Sequence, residues 1–373
     1  MIVQLLRERP PGYGGVERVA HQLASFWGGA VFSLAPADQR PDDRDPFTVS
    51  YRRVSLKSIR LSRLYCPLPA RSLFGLLFDS SPLHGHLPSP EVLILLLVAK
   101  AIRPSRRVSV HWHSFLDERP GRSPLADVTY QRIAFLLLPL FADSIITTSP
   151  RLKSELKILF PSIRIDVLPC SLDSNCENQL LEIQERVPPE SCLHVAFIGR
   201  LDSYKRVDWL IQALECMPSP WRLSVVGDGP KRIQLESYAI SSLGCEQNIS
   251  FYGQVTEEVK FNVLAAAHVL VLPSDRCNEA FGIVQLEAMA SGIPALAFDY
   301  ARSGMAWVSE IGALPWSHQP QDLAYALSKL SDQDLYRRAC QESRTRYTKL
   351  FANQVWLERL RSITTERAAE SLK

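Results

Sequence analysis

The hydrophobic positions of this chain fall into short apolar runs that alternate with amphipathic stretches from one end to the other. The apolar runs predict strands at 2–6, 108–112, 144–148, 193–198, 222–226, 249–252, 268–273 and 295–298. Helices are predicted at 16–27, 90–102, 129–140, from 150 onward, at 207–214, 231–242, 257–267, up to 292 and within 335–373. Alternating strands and helices are typical of parallel sheets covered on both faces. The sequence therefore predicts an α/β fold of doubly wound sheets.

The strand–helix pattern pauses once, over the polar residues 174–191, which include Pro188 and Pro189. At 373 residues the chain is long enough for two domains of ordinary size. We predict a first domain over residues 1–172 and a second over residues 173–349. A long surface loop within one domain is the alternative, and the length of the chain disfavours it.

Composition describes an ordinary globular protein, because 46% of the residues are hydrophobic and 22% are charged. The eight cysteines form no Cys-x-x-Cys pair and no Cys/His cluster of zinc-ligand spacing. We expect reduced thiols, no metal site and no cofactor. No signal peptide is recognised at the start, and the apolar runs are far shorter than the roughly 20 residues that cross a bilayer. These features predict a cytoplasmic protein.

Charge is divided unevenly along the chain, although the net charge is only +3. Residues 1–172 carry 22 Lys and Arg against 14 Asp and Glu, a net of +8. The segment 51–78 contains only basic charges, namely Arg52, Arg53, Lys57, Arg60, Arg63 and Arg71. Such a segment can lie on an anionic membrane or receive an anionic acceptor. A solvated surface explains it equally well, and we expect no nucleic-acid partner.

The most informative segment is Glu-Ala-Phe-Gly-Ile-Val-Gln-Leu-Glu, from Glu279 to Glu287, between a predicted strand and a predicted helix. Helix starts attract phosphate, since unpaired N–H groups and the helix dipole point there. Carboxylates accept hydrogen bonds from sugar and ribose hydroxyls. The two acids beside a helix start therefore predict a nucleotide-sugar site.

Two cations follow the first predicted strand of the second domain, at Arg200 and Lys205. Ligands of doubly wound sheets bind beyond the carboxyl ends of the strands. Arg and Lys at that edge suit a diphosphate and stabilise the charge it gains when it leaves. An ordinary basic turn beside Asp202 is the alternative.

Glycine and histidine at two strand ends of the first domain are further candidates. Gly14 and Gly15 allow a ligand to approach the backbone closely, but the third glycine of a dinucleotide-binding fingerprint is missing. His111 and His113 end a strand where an imidazole can contact a substrate hydroxyl or handle protons. We expect the two to lie on opposite faces, so that only one belongs to the site. His84 and His86 are predicted to be loop or packing residues.

Taken together, the motifs resemble those of the retaining glycosyltransferases of family 4, which have the GT-B fold. The resembling segments are Gly14–Glu17, 111–114, 197–201 with Lys205, 226–230, 251–255 and Pro273 through Glu279 and Glu287 to Pro294. They cover nearly the whole chain, and the last segment is the most specific.

The resemblance implies two Rossmann-like domains facing across a cleft, with residues 350–373 packing back onto the first domain. Donor contacts are implied for Glu279 on sugar hydroxyls, Glu287 on the ribose, and Arg200 with Lys205 on the diphosphate. Further contacts are implied for the backbone of Phe281, Gly282 and Ile283, for Gly15 on the diphosphate, and for His113 as the active-site histidine, with His111 second. Retention without an enzymic nucleophile implies front-face substitution that needs no metal.

The sequence thus predicts a retaining hexosyltransferase that moves a sugar from a nucleotide-sugar donor to a glycan or lipid-linked acceptor in polysaccharide biosynthesis. Mannose is the candidate sugar. Two alternatives use the same scaffold: a nucleotide-sugar 2-epimerase, and a non-catalytic subunit that binds the nucleotide sugar.

Overall fold

The computed structural model describes residues 1–8, 14–36, 51–62, 64–118, 124–184, 186–218, 220–243 and 248–370. The chain divides into two compact units, Met1–Pro169 and Cys170–Lys373. The division lies beside residue 172, where the sequence predicts the first domain to end. Residues 350–373 belong to the second unit, and their packing against the first domain stays a prediction.

The described part of the first unit contains eight strands and five helices. The strands are β1 Val3–Arg7, β2 Val31–Pro36, β3 Arg53–Leu61, β4 Leu64–Pro67, β5 Leu83–Leu87, β6 Val108–Trp112, β7 Ser144–Thr147 and β8 Arg164–Val167. The helices are α1 Gly15–Trp27, α2 Arg71–Phe78, α3 Pro90–Ile102, α4 Leu125–Phe141 and α5 Pro150–Leu159.

These strands form one sheet in the order β4-β3-β2-β1-β5-β6-β7-β8. Every pair is parallel except the hairpin of β3 and β4 at the edge. The chain order reverses beside β1, which lies between β2 and β5, so the ligand crevice expected of such a sheet lies at the carboxyl ends of β1 and β5. Sequence analysis missed β2 to β5, β8 and α2. It also left His84 and His86 outside the regular structure, although both lie on β5.

The second unit, within its described residues, contains five strands and nine helices. The strands are β9 Leu193–Ile198, β10 Trp221–Val226, β11 Ile249–Gly253, β12 Val269–Leu272 and β13 Ala295–Ala297. The helices are α6 Ser174–Leu181, α7 Val207–Glu215, α8 Arg232–Leu243, α9 Glu257–Ala266, α10 Val284–Ala290, α11 Met305–Ser309, α12 Leu323–Lys329, α13 Gln333–Leu350 and α14 Asn353–Glu370. The sheet is parallel, in the order β11-β10-β9-β12-β13.

Local sequence explains where the helices begin and end. The side chains of Ser89, Ser149 and Thr256 accept hydrogen bonds from backbone N–H groups three residues further on, as helix-capping residues do. The helix predicted to stop at Gly292 ends two residues earlier, at Ala290. Gly292 then takes a left-handed backbone with φ of +84°, which glycine adopts without steric cost and which is typical of the residue after a helix end.

The cores explain why the apolar runs are strands. Phe197 and Val225, on neighbouring strands of the second sheet, are fully buried, as are Leu5 and Val110 on the first. Strands of parallel sheets are buried on both faces and therefore read as continuous apolar runs. In the described residues, no helix combines the length and the apolar character needed to cross a membrane.

Candidate functional site

The second sheet brings two predicted loops to the same edge. Strand β9 lies between β10 and β12, so the chain order reverses between β9 and β12. In doubly wound sheets the ligand crevice opens at this reversal, beyond the carboxyl ends of the strands. Residues 199–206 follow β9 and residues 273–283 follow β12, and these two segments carry the predicted donor-binding residues.

Lys205 and Glu279, separated by 74 residues, form an ion pair between these two loops. Their side chains are 8% and 16% exposed. Burial by itself lowers the pKa of Lys205, but the Glu279 carboxylate outweighs it, and the pKa is raised above 10.5. Lys205 therefore remains charged at neutral pH although its side chain is nearly buried. Sequence analysis predicted both residues but not their contact.

Arg200 lies near Lys205 in sequence but differs from it in exposure. Its side chain is 71% exposed, and its Nε lies 3.0 Å from an oxygen of Asp202. An exposed ion pair of this kind contributes little stability. Arg200 is therefore held loosely and can reorient toward a ligand, whereas Lys205 is fixed.

The loop that leads into α10 is fixed by its neighbours. Gly282 has a φ of +72°, and a Cβ atom there would lie 2.3 Å from Cδ2 of Leu272. The Phe281 carbonyl accepts a hydrogen bond from Gln285 Nε2 at 2.6 Å, and the Glu279 carbonyl accepts one from Ser303 Oγ at 2.7 Å. Phe281 is buried, and Ile283, which caps α10, is half-buried. The Gln285 and Leu286 N–H groups of the first turn donate to the carbonyls of Gly282 and Ile283, so the attraction of this helix start for an anion comes from the helix dipole.

Glu287 lies one turn into α10 and is held by a lysine that sequence analysis missed. Lys260 on α9 donates to Glu287 Oε1 at 2.8 Å and to Glu257 Oε2 at 2.7 Å. Glu287 is 3% and Lys260 7% exposed. A sequence signal existed, because Lys260 shares the buried face of α9 with Val263 and Leu264. A lysine at an apolar helical position requires a buried partner.

The backbones that follow β9 and β10 lie very close to each other. A Cβ atom on Gly227 would lie 2.1 Å from the carbonyl oxygen of Gly199, and one on Gly199 would lie 3.8 Å from Lys205 Nζ. Only glycine permits this approach. The glycine at position 227 is therefore required by the packing of the two strand ends.

The two predicted glycines of the first unit lie at the start of α1. Gly14 caps the helix, and its N–H donates to Glu17 Oε2 at 3.1 Å. Gly15 is the first helical residue, and both glycines are exposed. Both residues are thus exposed, and the approach of a ligand to their backbone stays a prediction. Residues 9–13, which include Gly12, lie outside the described residues.

The expectation that His111 and His113 lie on opposite faces of β6 is wrong. Side chains alternate along a strand, so residues two positions apart share a face. The rings of His111 and His113 stack with centroids 4.1 Å apart. His113 is 7% exposed, and burial lowers its pKa to about 3. Both imidazoles therefore belong to one layer, and His113, next to the end of the strand, is the more exposed of the two.

His84 and His86 belong to the same layer and are not loop residues. They lie on β5, which pairs with β6, and His86 is the direct neighbour of His111 across the sheet. His86 Nδ1 lies 2.9 Å from His113 Nε2, and His86 Nε2 lies 3.0 Å from Gln4 Oε1. Four buried imidazoles thus lie side by side. Strand β5 was missed in the sequence because it contains His and Gly, which have low strand propensity.

Two doubly wound units of this construction define the GT-B class of fold. Residues 193–333 match the model of the family described as Glycosyl transferases group 1. Over this region, which covers less than half of the chain and contains Lys205, Glu279 and Glu287, the chain is similar to the group 1 glycosyl transferases. The resemblance inferred from sequence is confirmed.

A solved structure supports the fold over the whole chain. Anabaena HepE in complex with UDP is 17% identical, with 98% of this chain and 100% of that chain covered and a TM-score of 0.73. At this identity the likeness concerns the fold alone, and it confirms the predicted fold class.

Curated relatives match over different lengths. O-antigen chain mannosyltransferase C of Escherichia coli is 24% identical over 361 residues, 92% of this chain and 91% of the relative. Exopolysaccharide phosphotransferase of Streptomyces coelicolor is 29% identical over 315 residues, 70% of this chain and 32% of the relative. The chain spans less than half the length of the first curated relatives it matches, from 32% to 44%.

Proposed function

We propose that this protein is a retaining, metal-independent glycosyltransferase that moves a sugar from a nucleotide-sugar donor to a glycan or lipid-linked acceptor in polysaccharide biosynthesis. The observation that carries the proposal is the contact between Lys205 and Glu279 at the reversal point of the second sheet. The relative in Escherichia coli named as an O-antigen mannosyltransferase supports the reaction class. The structural neighbour in complex with UDP supports a nucleoside diphosphate as the leaving group.

In this proposal the donor diphosphate lies against Arg200, Lys205 and the first turn of α10. Glu279 accepts hydrogen bonds from hydroxyls of the sugar, and Glu287 accepts them from the ribose. Lys205 already has a carboxylate partner, so the phosphate shares its ammonium group with Glu279. Arg200, held loosely by Asp202, supplies the charge that adapts to the leaving group.

The reaction proceeds by substitution on one face of the sugar. The bond between the anomeric carbon and the phosphate oxygen breaks while the acceptor oxygen bonds to the same face. The acceptor proton passes to the departing phosphate, so no basic side chain is required. We assign to His113 a hydrogen bond to a substrate hydroxyl, and to the backbone of Gly14 and Gly15 a close approach to the diphosphate.

Donor turnover in single variants tests the assignment. Arg200→Ala, Lys205→Ala and Glu279→Ala are expected to lower kcat/KM by at least 10-fold each, because each removes a charged contact to the leaving group or sugar. Arg222→Ala is the matched control, since Arg222 is an exposed cation of the same sheet. Unchanged rates in all three site variants would reject the assignment.

Two further measurements test the reaction type. NMR of the product should show that the donor's anomeric configuration is kept, and an excess of chelator should leave the rate unchanged. Inversion, or loss of activity that added Mg²⁺ or Mn²⁺ restores, refutes the corresponding part of the proposal. Assays with UDP-, GDP- and other nucleotide sugars identify the donor, with GDP-mannose as the first candidate.

The proposed partner of the first unit is an anionic membrane surface. Binding to it would hold a cytoplasmic enzyme at the inner face of the membrane. The side chains of Lys57 and Arg60 on β3, and of Arg52 just before it, are exposed together with apolar neighbours. The exposed large apolar side chains in this region are Ile59, Leu61, Leu64, Phe74 and Phe78. Basic residues beside apolar ones are typical of surfaces that bind anionic lipid interfaces.

Sedimentation with anionic vesicles tests this partner. Neutralising Arg52, Lys57 and Arg60 should release the protein, and so should high salt. Arg53 is left intact because it pairs with buried Glu8 at 3.3 Å, and Arg63 lies outside the described residues. Equal sedimentation of wild type and variant would contradict the membrane proposal without affecting the transferase assignment.

The two alternatives are less well supported. The matched relatives described above are named as transferases, which disfavours a 2-epimerase or a binding subunit. Incubation without acceptor distinguishes them, since only an epimerase isomerises the donor.

A further inference from the structure

The histidine layer of the first unit contains a group of side chains that the proposed reaction does not use. His84 and His86 lie two residues apart on β5 and therefore share a face. His111 is the direct neighbour of His86 on β6. All three are buried, with exposures of 2% or less. Sequence analysis found no Cys/His cluster of zinc-ligand spacing, because the three histidines come from two strands that are adjacent only in the folded sheet.

We infer that His84, His86 and His111 form a binding site for a divalent transition-metal ion, with Zn²⁺ as the first candidate. One ring nitrogen from each residue lies within 4.8 Å of the other two. Zn–N bonds are about 2.0–2.1 Å long, so ligand nitrogens around one zinc ion lie about 3.3 Å apart. Movements of about 1 Å at the ring nitrogens bring the three into this range.

The three imidazole ligands determine which class of metal ion the site prefers. Imidazole suits Zn²⁺, Cu²⁺ and Ni²⁺, whereas Mg²⁺ and Ca²⁺ require carboxylate and carbonyl oxygens. Burial favours the neutral imidazole, which is the form that binds metals. The site is therefore expected to reject Mg²⁺ and Ca²⁺.

The outer contacts of the rings have the arrangement found around metal-binding histidines. Such a residue usually gives its second ring N–H to a polar acceptor, which fixes the tautomer and the ring orientation. His84 Nδ1 lies 2.7 Å from Ser109 Oγ, which directs Nε2 toward the ion. His86 Nε2 lies 3.0 Å from Gln4 Oε1, which directs Nδ1 toward it.

His113 lies beside the three proposed ligands and is in contact with one of them. Its Nε2 lies 2.9 Å from His86 Nδ1, and its ring stacks on that of His111. When a metal ion takes the lone pair of His86 Nδ1, His113 loses that acceptor and turns either toward the ion or away from it. The bound ion would link β5 to β6 next to His113, the residue to which a hydrogen bond with a substrate hydroxyl is assigned. It would act there as a structural element.

Metal titration of the untagged, full-length protein tests the site, after treatment with chelator and dialysis. Zn²⁺ and Co²⁺ are added separately, and binding is followed by calorimetry and by the visible absorption of tetrahedral Co²⁺. We expect one saturable ion per chain, Co²⁺ absorption that Zn²⁺ abolishes, and no competition from Mg²⁺. An absence of saturable binding to the wild-type protein would overturn the inference, whatever the variants show.

Variants then assign the ligands. His84→Asn and His111→Asn should each weaken binding by more than 100-fold, and Ser109→Ala by 10–100-fold through the outer contact. His318→Gln, in the second unit, is the control and should bind as the wild type does. If Zn²⁺ bound equally to the wild type, His84→Asn and His111→Asn, the ion would lie elsewhere and the inference would be wrong. The Ser109→Ala variant keeps all four histidines and so decides the question even if a histidine variant does not fold.

Discussion

Replacing Lys260 by methionine separates a buried ion pair from ordinary surface charge. Lys260 and Glu287 have side chains that are 9% and 5% exposed, with 2.8 Å between Nζ and Oε1. Methionine keeps most of the apolar stem and removes only the ammonium group. Glu257, whose side chain is 58% exposed, stays solvated after the change. The main consequence is therefore a carboxylate at Glu287 that is buried without its lysine.

The expected loss follows from that burial. Removing one partner of a buried pair costs about 3–5 kcal/mol, because the remaining charge is desolvated and uncompensated. For a unit of this size, about 3 kcal/mol corresponds to a fall in Tm of roughly 6–12 °C. Lys349→Met is the control, since Lys349 is exposed at the end of α13, and its loss should change stability by less than about 1 kcal/mol.

Calorimetric unfolding of both variants measures the difference, and its pH dependence checks the cause. Burial alone lowers the pKa of Lys260, but the Glu287 and Glu257 carboxylates raise it above 10.5. A group with a raised pKa stabilises the fold fully below its unfolded pKa and loses that contribution as pH rises through the folded value. The gap in Tm between wild type and Lys260→Met should therefore be constant near neutrality and close above about pH 10.5. If Lys260→Met unfolded within 2 °C of Lys349→Met at about pH 7, Glu287 would have enough water to do without its lysine.

Three further predictions concern single residues. Burial by itself raises the pKa of Glu8, but its histidine and arginine partners lower the pKa below 4.5 overall. The first unit should therefore lose stability as pH falls through that lowered value. Glu8→Gln should remove this dependence in acid unfolding followed by circular dichroism. Arg344 donates to carbonyls at the ends of α6 and α10, and Arg344→Met should lower the unfolding free energy by about 2–4 kcal/mol in urea titrations; a loss below about 0.5 kcal/mol would refute that role. Gly282→Ala should weaken nucleotide binding in calorimetry by at least 10-fold, because the added Cβ meets Leu272 at 2.3 Å. Gly75→Ala is the control and should have no effect, because a Cβ added at Gly75 meets nothing within 4 Å.

The sequence predicted the second unit better than the first, and the reason lies in burial. Strand β9 is buried throughout and apolar except for His194, because both faces are covered, and its pattern is unambiguous. Strand β3 lies near the sheet edge, where inward Leu56 and Ser58 alternate with exposed positions that include Lys57. Sequence analysis interpreted that stretch by its charge and overlooked its period of two residues, which is itself a strand signal.

Helix α6 was missed for a different reason. The segment 174–191 is polar and was interpreted as a linker. Its helix depends on Asp173, whose side chain accepts from the Cys176 N–H at 2.9 Å, and on contacts far along the chain. Glu177 accepts from the Tyr347 hydroxyl at 2.8 Å. A tertiary partner 170 residues away leaves no trace in local propensity.

For the candidate site, residue types and strand ends could be predicted, whereas pairings could not. The position of Lys205 after β9 and of Glu279 after β12 follows from the chain pattern. Their contact depends on β9 and β12 being neighbours, which only the strand order decides. The histidine layer likewise depends on the register that places His86 beside His111.

The two acids of the motif share one design that explains how a carboxylate-rich site accepts an anion. Glu279 is paired with Lys205 from the loop after β9, and Glu287 with Lys260 from α9. Lys205 offsets the charge of Glu279, and Lys260 is shared between Glu287 and exposed Glu257, so both acids can accept hydrogen bonds while repelling a diphosphate less strongly. Because both lysines already have carboxylate partners, a bound diphosphate requires further positive potential, and exposed Arg200 together with the start of α10 is placed to supply it. In the proposed site the buried lysines therefore fix the geometry of the acids, and the exposed arginine would provide the charge that responds to the ligand.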